Sequence, residues 1–221
     1  MPDVVLDIPD VLLSKVIHHI IDWSKIDDNS IIVDAGSSNG DSIMIFREHT
    51  NCLICAIEPN RDLFLQMIEE LFMPGKLQGI NKNFLFSNKA LVGNSYSDFI
   101  NFYQFSKASS IIKDLYKDSD GKIIPCYVRT IKIGDLFNEF GIQKIDYLKL
   151  NIVGAEQDVI KDMPQETANK IIQISVHIYY QQQSYDKGLI DVADDRLKTL
   201  GYQTKRFYDG MEIYAHRNGV I

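Results

Sequence analysis

Asp34, Gly36 and Gly40 fall within the stretch Val33-Asp34-Ala35-Gly36-Ser37-Ser38-Asn39-Gly40-Asp41, directly after the apolar run Ile31-Ile32-Val33. A strand that ends in small residues and opens a helix lets the backbone approach a ligand, with helix N–H groups aimed at its anionic part. Glu58 closes the next apolar run, 22 residues beyond Gly36, near the roughly twenty that set an acid on ribose hydroxyls. A dinucleotide site would place glycines at 36, 38 and 41. The sequence has Gly36, Ser38 and Asp41 there, so that fingerprint fails twice.

The pattern present is Asp-x-Gly-x-x-x-Gly, that of adenosylmethionine sites, whose ligand brings an amino-acid end and a sulfonium rather than a pyrophosphate. Asp34 would receive the ammonium directly or through water, Gly36 would make room for the methionine portion, and Glu58 would take the ribose. Methyl transfer from a sulfonium to an alcohol is an in-line displacement that needs alignment and a base for the alcohol proton. His177, late in Ile171-Ile172-Gln173-Ile174-Ser175-Val176-His177, is the candidate base, with a structural strand-end histidine as the equal alternative. Lys149 shares a strand face with Tyr147 and Asn151. It either orients the substrate or pairs with Glu156, because an amine in an apolar strand needs a partner. Asn151 is a hydrogen-bonding candidate at the same strand end.

Strands and helices must alternate to bring these residues together. Val11, Leu12, Val16, Ile20 and Trp23 predict a helix over Pro9–Trp23, in which His18 and His19 are solvated or capping. Strands are expected at 31–34, 53–58, 84–92 and 146–151, and helices at 41–48, 61–72 and 155–161. The Pro74-Gly75 breaker follows the second helix. Strand-like runs at 99–105 and 123–129 flank a polar segment, 106–122. A strand at 170–178, a helix at 189–200 and a hairpin at 202–216 turning at Asp209-Gly210 complete the pattern. The expected fold is α/β and Rossmann-like, a mostly parallel seven-stranded sheet with helices on both faces and a C-terminal antiparallel hairpin. The expected division is an N-terminal helical appendage, 1–28, and a main domain, 29–221.

A formal net charge of −7 opposes broad contact with a nucleic-acid backbone. No apolar run reaches the roughly eighteen residues of a membrane span, and Met1-Pro2-Asp3 lacks the basic start of a secretory signal. The expectation is a soluble, cytoplasmic protein. Cys52 and Cys55 spell Cys-x-x-Cys, but residues three apart on a strand point to opposite faces. They read as core cysteines, and no metal constellation is seen.

Several blocks together resemble the FkbM-type methyltransferases: Asp34 to Gly40, Ile57-Glu58-Pro59-Asn60, Lys89-Ala90-Leu91, Leu148-Lys149-Leu150-Asn151-Ile152-Val153-Gly154-Ala155-Glu156, and Val176-His177. The likeness runs from about residue 31 to 202. It implies a class I methyltransferase fold, S-adenosylmethionine as donor with S-adenosylhomocysteine as product, and a hydroxyl acceptor on a sugar, glycan or small molecule, deoxyhexoses included. It extends the donor site to Ser37, Asn39, Pro59, Asn60 and Ala90, and Glu156 is expected on the acceptor side. Tyr179 and Tyr180, with Tyr185 nearby, form either an apolar platform for a sugar ring or ordinary packing. Where the family reads Leu-Lys-Ile-Asp-Val-Glu-Gly-Ala-Glu, this chain has Asn151 for the Asp and Val153 for the inner Glu. Those departures keep a catalytically degenerate binding or scaffold domain as the alternative, with a nicotinamide oxidoreductase behind it. A larger multidomain parent and a homo-oligomer are further expectations.

Overall fold

The computed structural model describes residues 13–73, 83–105, 109–113, 115, 122–178, 187–208 and 211–217. Pro74-Gly75, Asp209-Gly210 and the Tyr179, Tyr180 and Tyr185 platform lie outside them.

The main sheet has seven strands: β3 (Ile31–Ala35), β4 (Leu53–Ile57), β5 (Phe84–Ser87), β9 (Ile145–Leu150), β10 (Ile171–His177), β11 (Gln203–Phe207) and β12 (Glu212–His216). Their spatial order is β11-β12-β10-β9-β3-β4-β5. The five strands from β10 to β5 are parallel, and β12 runs antiparallel between β10 and β11. This is the α/β arrangement expected from the alternation of patterns. The parallel strands are apolar on both faces because both are covered.

One face packs α1 (Asp41–His49) and α2 (Arg61–Phe72) over Ile32, Ile54, Ala56 and Tyr147. The other packs α4 (Glu156–Asp162) and α6 (Lys187–Thr199) over Val33, Cys55, Leu148 and Ile174. The short α3 (Leu136–Phe140) and α5 (Gln165–Ala168) contribute Leu136, Phe137 and Ala168 to that second core. Cys52 and Cys55 are buried in these two different cores, one on each side of the sheet, and burial pushes the Cys55 thiol up to about 12. Helix α2 matches its expected bounds because it carries its own signals. Its apolar stripe is continuous, and the Asn60 side chain accepts the N–H groups of Asp62 (3.0 Å) and Leu63 (3.4 Å) as an N-cap.

Two expectations are corrected. The described part of the N-terminal segment is not a helix but an antiparallel hairpin, β1 (Leu13–Val16) and β2 (His19–Asp22), followed by a 3-10 turn at Trp23–Lys25. Its apolar residues suit either period, and long-range bonds decide the outcome. Ile20 N–H donates to Ser175 Oγ (3.0 Å) and Asp22 N–H to Gln173 Oε1 (3.0 Å), both on β10. His19 is accordingly not solvated or capping but fully buried.

The expected strand 84–92 also breaks in two. Asn88 Nδ2 donates to the carbonyls of Glu58 (2.7 Å) and Pro59 (3.2 Å), and Lys89 pairs with Glu139 at 2.6 Å. These contacts turn the chain out of the main sheet. The second half, β6 (Ala90–Val92), joins β7 (Phe99–Gln104) and β8 (Ile124–Lys132) in a three-stranded sheet ordered β6-β8-β7. That sheet has its own small core of Ala90, Val92, Phe102 and Val128.

Candidate active site

A cavity of about 320 Å³ opens at the carboxyl ends of β3, β4 and β9, where open α/β sheets bind ligands. Gly36, Ser38, Glu58 and Pro59 form one side. Ala90, Leu91, Phe102, Ser109 and Ile111 form a roof carried by the three-stranded sheet and the segment between β7 and β8. The rest of the wall is made by Asn151, Ile152 and Val153 after β9, and by Ile17 and His18 at the hairpin tip.

The turn after β3 requires glycine. Gly36 has φ +77°, and a Cβ there would lie 1.8 Å from the Asn151 carbonyl oxygen. Three of the four non-glycine residues with positive φ among the described residues, Ile17 (58°), Ser38 (53°) and Val153 (49°), line the cavity. For the β-branched Ile17 and Val153 this is a costly conformation, of the kind that functional sites retain.

Beneath the turn lies a buried ion pair. Asp34 and Lys149 are register partners on β3 and β9, and Lys149 Nζ sits 2.5 Å from Asp34 Oδ1 and 3.1 Å from the Gly36 carbonyl. Ser42, in the first turn of α1, donates its hydroxyl to the other Asp34 oxygen. Lys149 therefore pairs with Asp34 rather than Glu156, because cross-strand register brings the two to one face of the sheet. Asp34 is fully buried and does not line the cavity. Glu156 is spent on backbone: its carboxylate accepts Ile152 N–H and Gly154 N–H, each at 2.8 Å, and fixes the loop after β9.

Glu58 faces the cavity at 5% exposure. Its oxygens accept Ser38 N–H (2.9 Å) and Asn60 N–H (2.8 Å). Burial, only partly offset by these bonds, pushes its carboxyl up to about 7. Of the expected donor residues, Gly36, Glu58, Pro59 and Ala90 line the cavity, and Asp34, Ser37, Asn39, Gly40 and Asn60 do not. Ser37 Oγ–H donates to the Asp34 carbonyl (2.7 Å), and Asn39 Nδ2 to Asp41 (2.9 Å). Asn60 caps α2 and donates to Ser109 Oγ (3.1 Å), joining the helix to the roof.

Asn151 lines the cavity, and His177 stands on the same rung. Ala35, Leu150 and Val176 are aligned on β3, β9 and β10, so Gly36, Asn151 and His177 are the next residues along each chain. His177 is not itself in the cavity wall, but its ring lies 5.9 Å from that of His18, which is. Its Nδ1 is 3.4 Å from Glu212 Oε2, its cross-strand partner on β12. The hairpin tip and Glu212 escaped sequence reading, for they are gathered only by tertiary contacts.

This sheet order, with a cleft beside a glycine turn and an acid after the second main strand, defines a Rossmann-like methyltransferase fold. A family model described as the methyltransferase FkbM domain matches residues 34–204, and the chain belongs to that family. Among solved structures, it is similar to the methyltransferase FkbM from Methylobacillus flagellatus KT (TM-score 0.54, 15% identity), covering 86% of this chain and 44% of that one. The chain thus spans less than half the length of that protein. It is also similar to a putative rRNA-methylase from Clostridium thermocellum (TM-score 0.46, 10% identity, 87% and 88% covered). A third similar structure is the Methanococcus jannaschii fibrillarin pre-rRNA processing protein (TM-score 0.47, 11% identity, 87% and 68% covered). No curated protein matches the sequence. Among the described residues, no helix is long and apolar enough to cross a membrane.

Proposed function

We propose that this protein is an S-adenosylmethionine-dependent O-methyltransferase whose acceptor is a hydroxyl of a sugar or glycan, deoxyhexoses included. The observation that carries the reading is the cavity itself. A Gly36 turn that admits no side chain, the Glu58 carboxylate, Asn151 and His18 line one cleft, and the His177 ring lies 5.9 Å from that of His18. These residues fit the donor: the Gly36 turn accommodates the methionine portion and Glu58 accepts the ribose hydroxyls. When bound, adenosylmethionine supplies a methyl group on a positively charged sulfur.

The chain's own residues supply orientation and proton transfer. Asn151 hydrogen-bonds the acceptor, and His177 takes the hydroxyl proton at Nε2. Lys149 and Asp34 hold the turn from below. Val153, standing where the family carries a carboxylate, contributes apolar surface together with Ile17 and Ile152, which suits the C–H face of a deoxy sugar.

Calorimetric titration with adenosylmethionine and adenosylhomocysteine, followed by methyl transfer to a panel of sugars and glycosides, tests the reading. Saturable binding of both with turnover on a sugar hydroxyl is expected. Donor binding without turnover on any acceptor would favour the scaffold alternative, and binding of neither would sink the donor assignment.

Glu58 gives a pH test with a definite sign. Its folded-state value, about 7, lies above the ordinary 4.5. Its contribution to folding stability is therefore full below about 4.5 and lost as pH rises through about 7. The ionised form is the better acceptor for a diol, so adenosylhomocysteine should bind more weakly below pH 7, by up to ~10-fold per pH unit. Glu58→Gln should flatten that dependence and weaken binding at pH 8. Without ligand, the variant should melt higher than the parent at pH 8, by an amount corresponding to roughly 1–3 kcal/mol. A pH-independent affinity in the parent protein would refute the assignment.

A further inference from the structure

Glu212 is fully buried at the start of β12, yet its carboxylate meets three polar side chains from two other elements. Oε1 accepts the Ser175 hydroxyl and lies 3.1 Å from His19 Nδ1 on the hairpin. Oε2 faces His177 Nδ1 at 3.4 Å, a charge contact rather than a formed hydrogen bond. Ser175 Oγ in turn accepts Ile20 N–H at 3.0 Å. One carboxylate thus joins the strand that carries His177 to the hairpin whose tip puts Ile17 and His18 into the cavity wall.

A carboxylate accepts but does not donate, so its charge favours the tautomer of a facing imidazole that carries the proton on Nδ1. The other nitrogen, Nε2, then carries no proton, the logic by which a buried acid orients a histidine in hydrolytic triads. Neutral imidazole free in water favours the opposite tautomer. We propose that Glu212 is the positioning residue of this site, selecting the Nδ1–H tautomer of His177 and fixing the hairpin tip against the same strand end. When His177 takes the acceptor's hydroxyl proton at Nε2, the resulting imidazolium is balanced by the Glu212 carboxylate. Burial would raise the Glu212 carboxyl, but the contacts with His177, His19 and Ser175 outweigh it and keep it below the ordinary value, ionised as this role demands.

The inference rests on His177 as the base, and its first test needs neither acceptor nor turnover. Long-range proton–nitrogen correlation of ¹⁵N-histidine-labelled protein, assigned with His177→Gln, reads the tautomer directly at a pH where the ring is neutral. The expected result is Nδ1–H in the parent protein and a shift towards Nε2–H in Glu212→Gln. An Nε2–H ring in the parent protein would overturn the proposal even if the variant failed to fold.

With an acceptor in hand, Glu212→Gln should lower kcat by roughly 10²-fold while the dissociation constant for adenosylhomocysteine changes less than about 3-fold. Glu212→Asp should recover part of the loss. An unchanged kcat in Glu212→Gln would overturn the role of Glu212. An unchanged kcat in His177→Gln would instead remove the base assignment on which that role depends. Failure of adenosylhomocysteine to bind the parent protein would be a separate result, counting against the methyltransferase reading and leaving the tautomer measurement to judge Glu212.

Discussion

Gly36→Ala is expected to abolish binding of adenosylmethionine altogether. The new methyl would sit 1.8 Å from the Asn151 carbonyl oxygen, at a backbone angle of +77°. Neither strain is relieved by a side-chain rotation, since the obstacle is backbone. The turn would have to withdraw from the Asn151 carbonyl after β9, taking with it the Ser37 and Gly36 N–H groups bonded to the Ile57 carbonyl. A left-handed residue alone costs about 1–3 kcal/mol, and the overlap adds to that. Calorimetry should show no saturable heat with donor or product. Thermal melting should fall by about 2–4 °C per kcal/mol lost. Donor affinity within a few-fold of the parent protein's would mean that the turn is not the donor cradle.

The second large effect is expected at the Asp34–Lys149 pair. Both groups are almost wholly out of water, and removing one leaves the other charged and buried, a loss of about 3–5 kcal/mol. Lys149→Met should therefore be severely destabilising in urea unfolding, although Met fills much of the same volume. Its consequence should reach the cavity as well, because Lys149 also donates to the Gly36 carbonyl. Asp34→Asn combined with Lys149→Met removes both charges and should recover most of the loss. Should the double variant be as unstable as the single one, packing rather than charge pairing would be the cause.

The sequence revealed most where the determinants are local. Helix α2, with an apolar stripe and an Asn60 cap, was predictable to the residue. So were the acid after β4 and the glycine turn, because a turn's requirements are written in the few residues that form it. The N-terminal hairpin was not legible. Its turn, Ile17-His18, has no Gly, Asn or Asp to announce it, and its apolar residues match a helical period as well as a strand. What selects the hairpin is Ser175, Gln173 and Glu212, more than 150 residues distant. The partner of Lys149 was misjudged for the same reason: Glu156 is near in sequence, whereas Asp34 is near only once β3 and β9 are in register. Glu212 carried no signal at all. An acid in a terminal strand reads as surface until the strand is seen between two others.

The placement of β12 also bears on the order in which the molecule comes into being. His19 and Glu212 are 193 positions apart, so the hairpin's buried histidine leaves any ribosome long before the carboxylate that receives it. Contacts of such separation form late, after long loops have closed. Until β12 slides between β10 and β11, the hairpin, whose tip carries the wall residues Ile17 and His18, lacks the Glu212 part of its anchor. The half of the cavity bounded by β3, β4 and α2 needs no such wait. A nascent chain would thus close the part of its cleft bounded by β3, β4 and α2 first and the wall carried by the hairpin tip last.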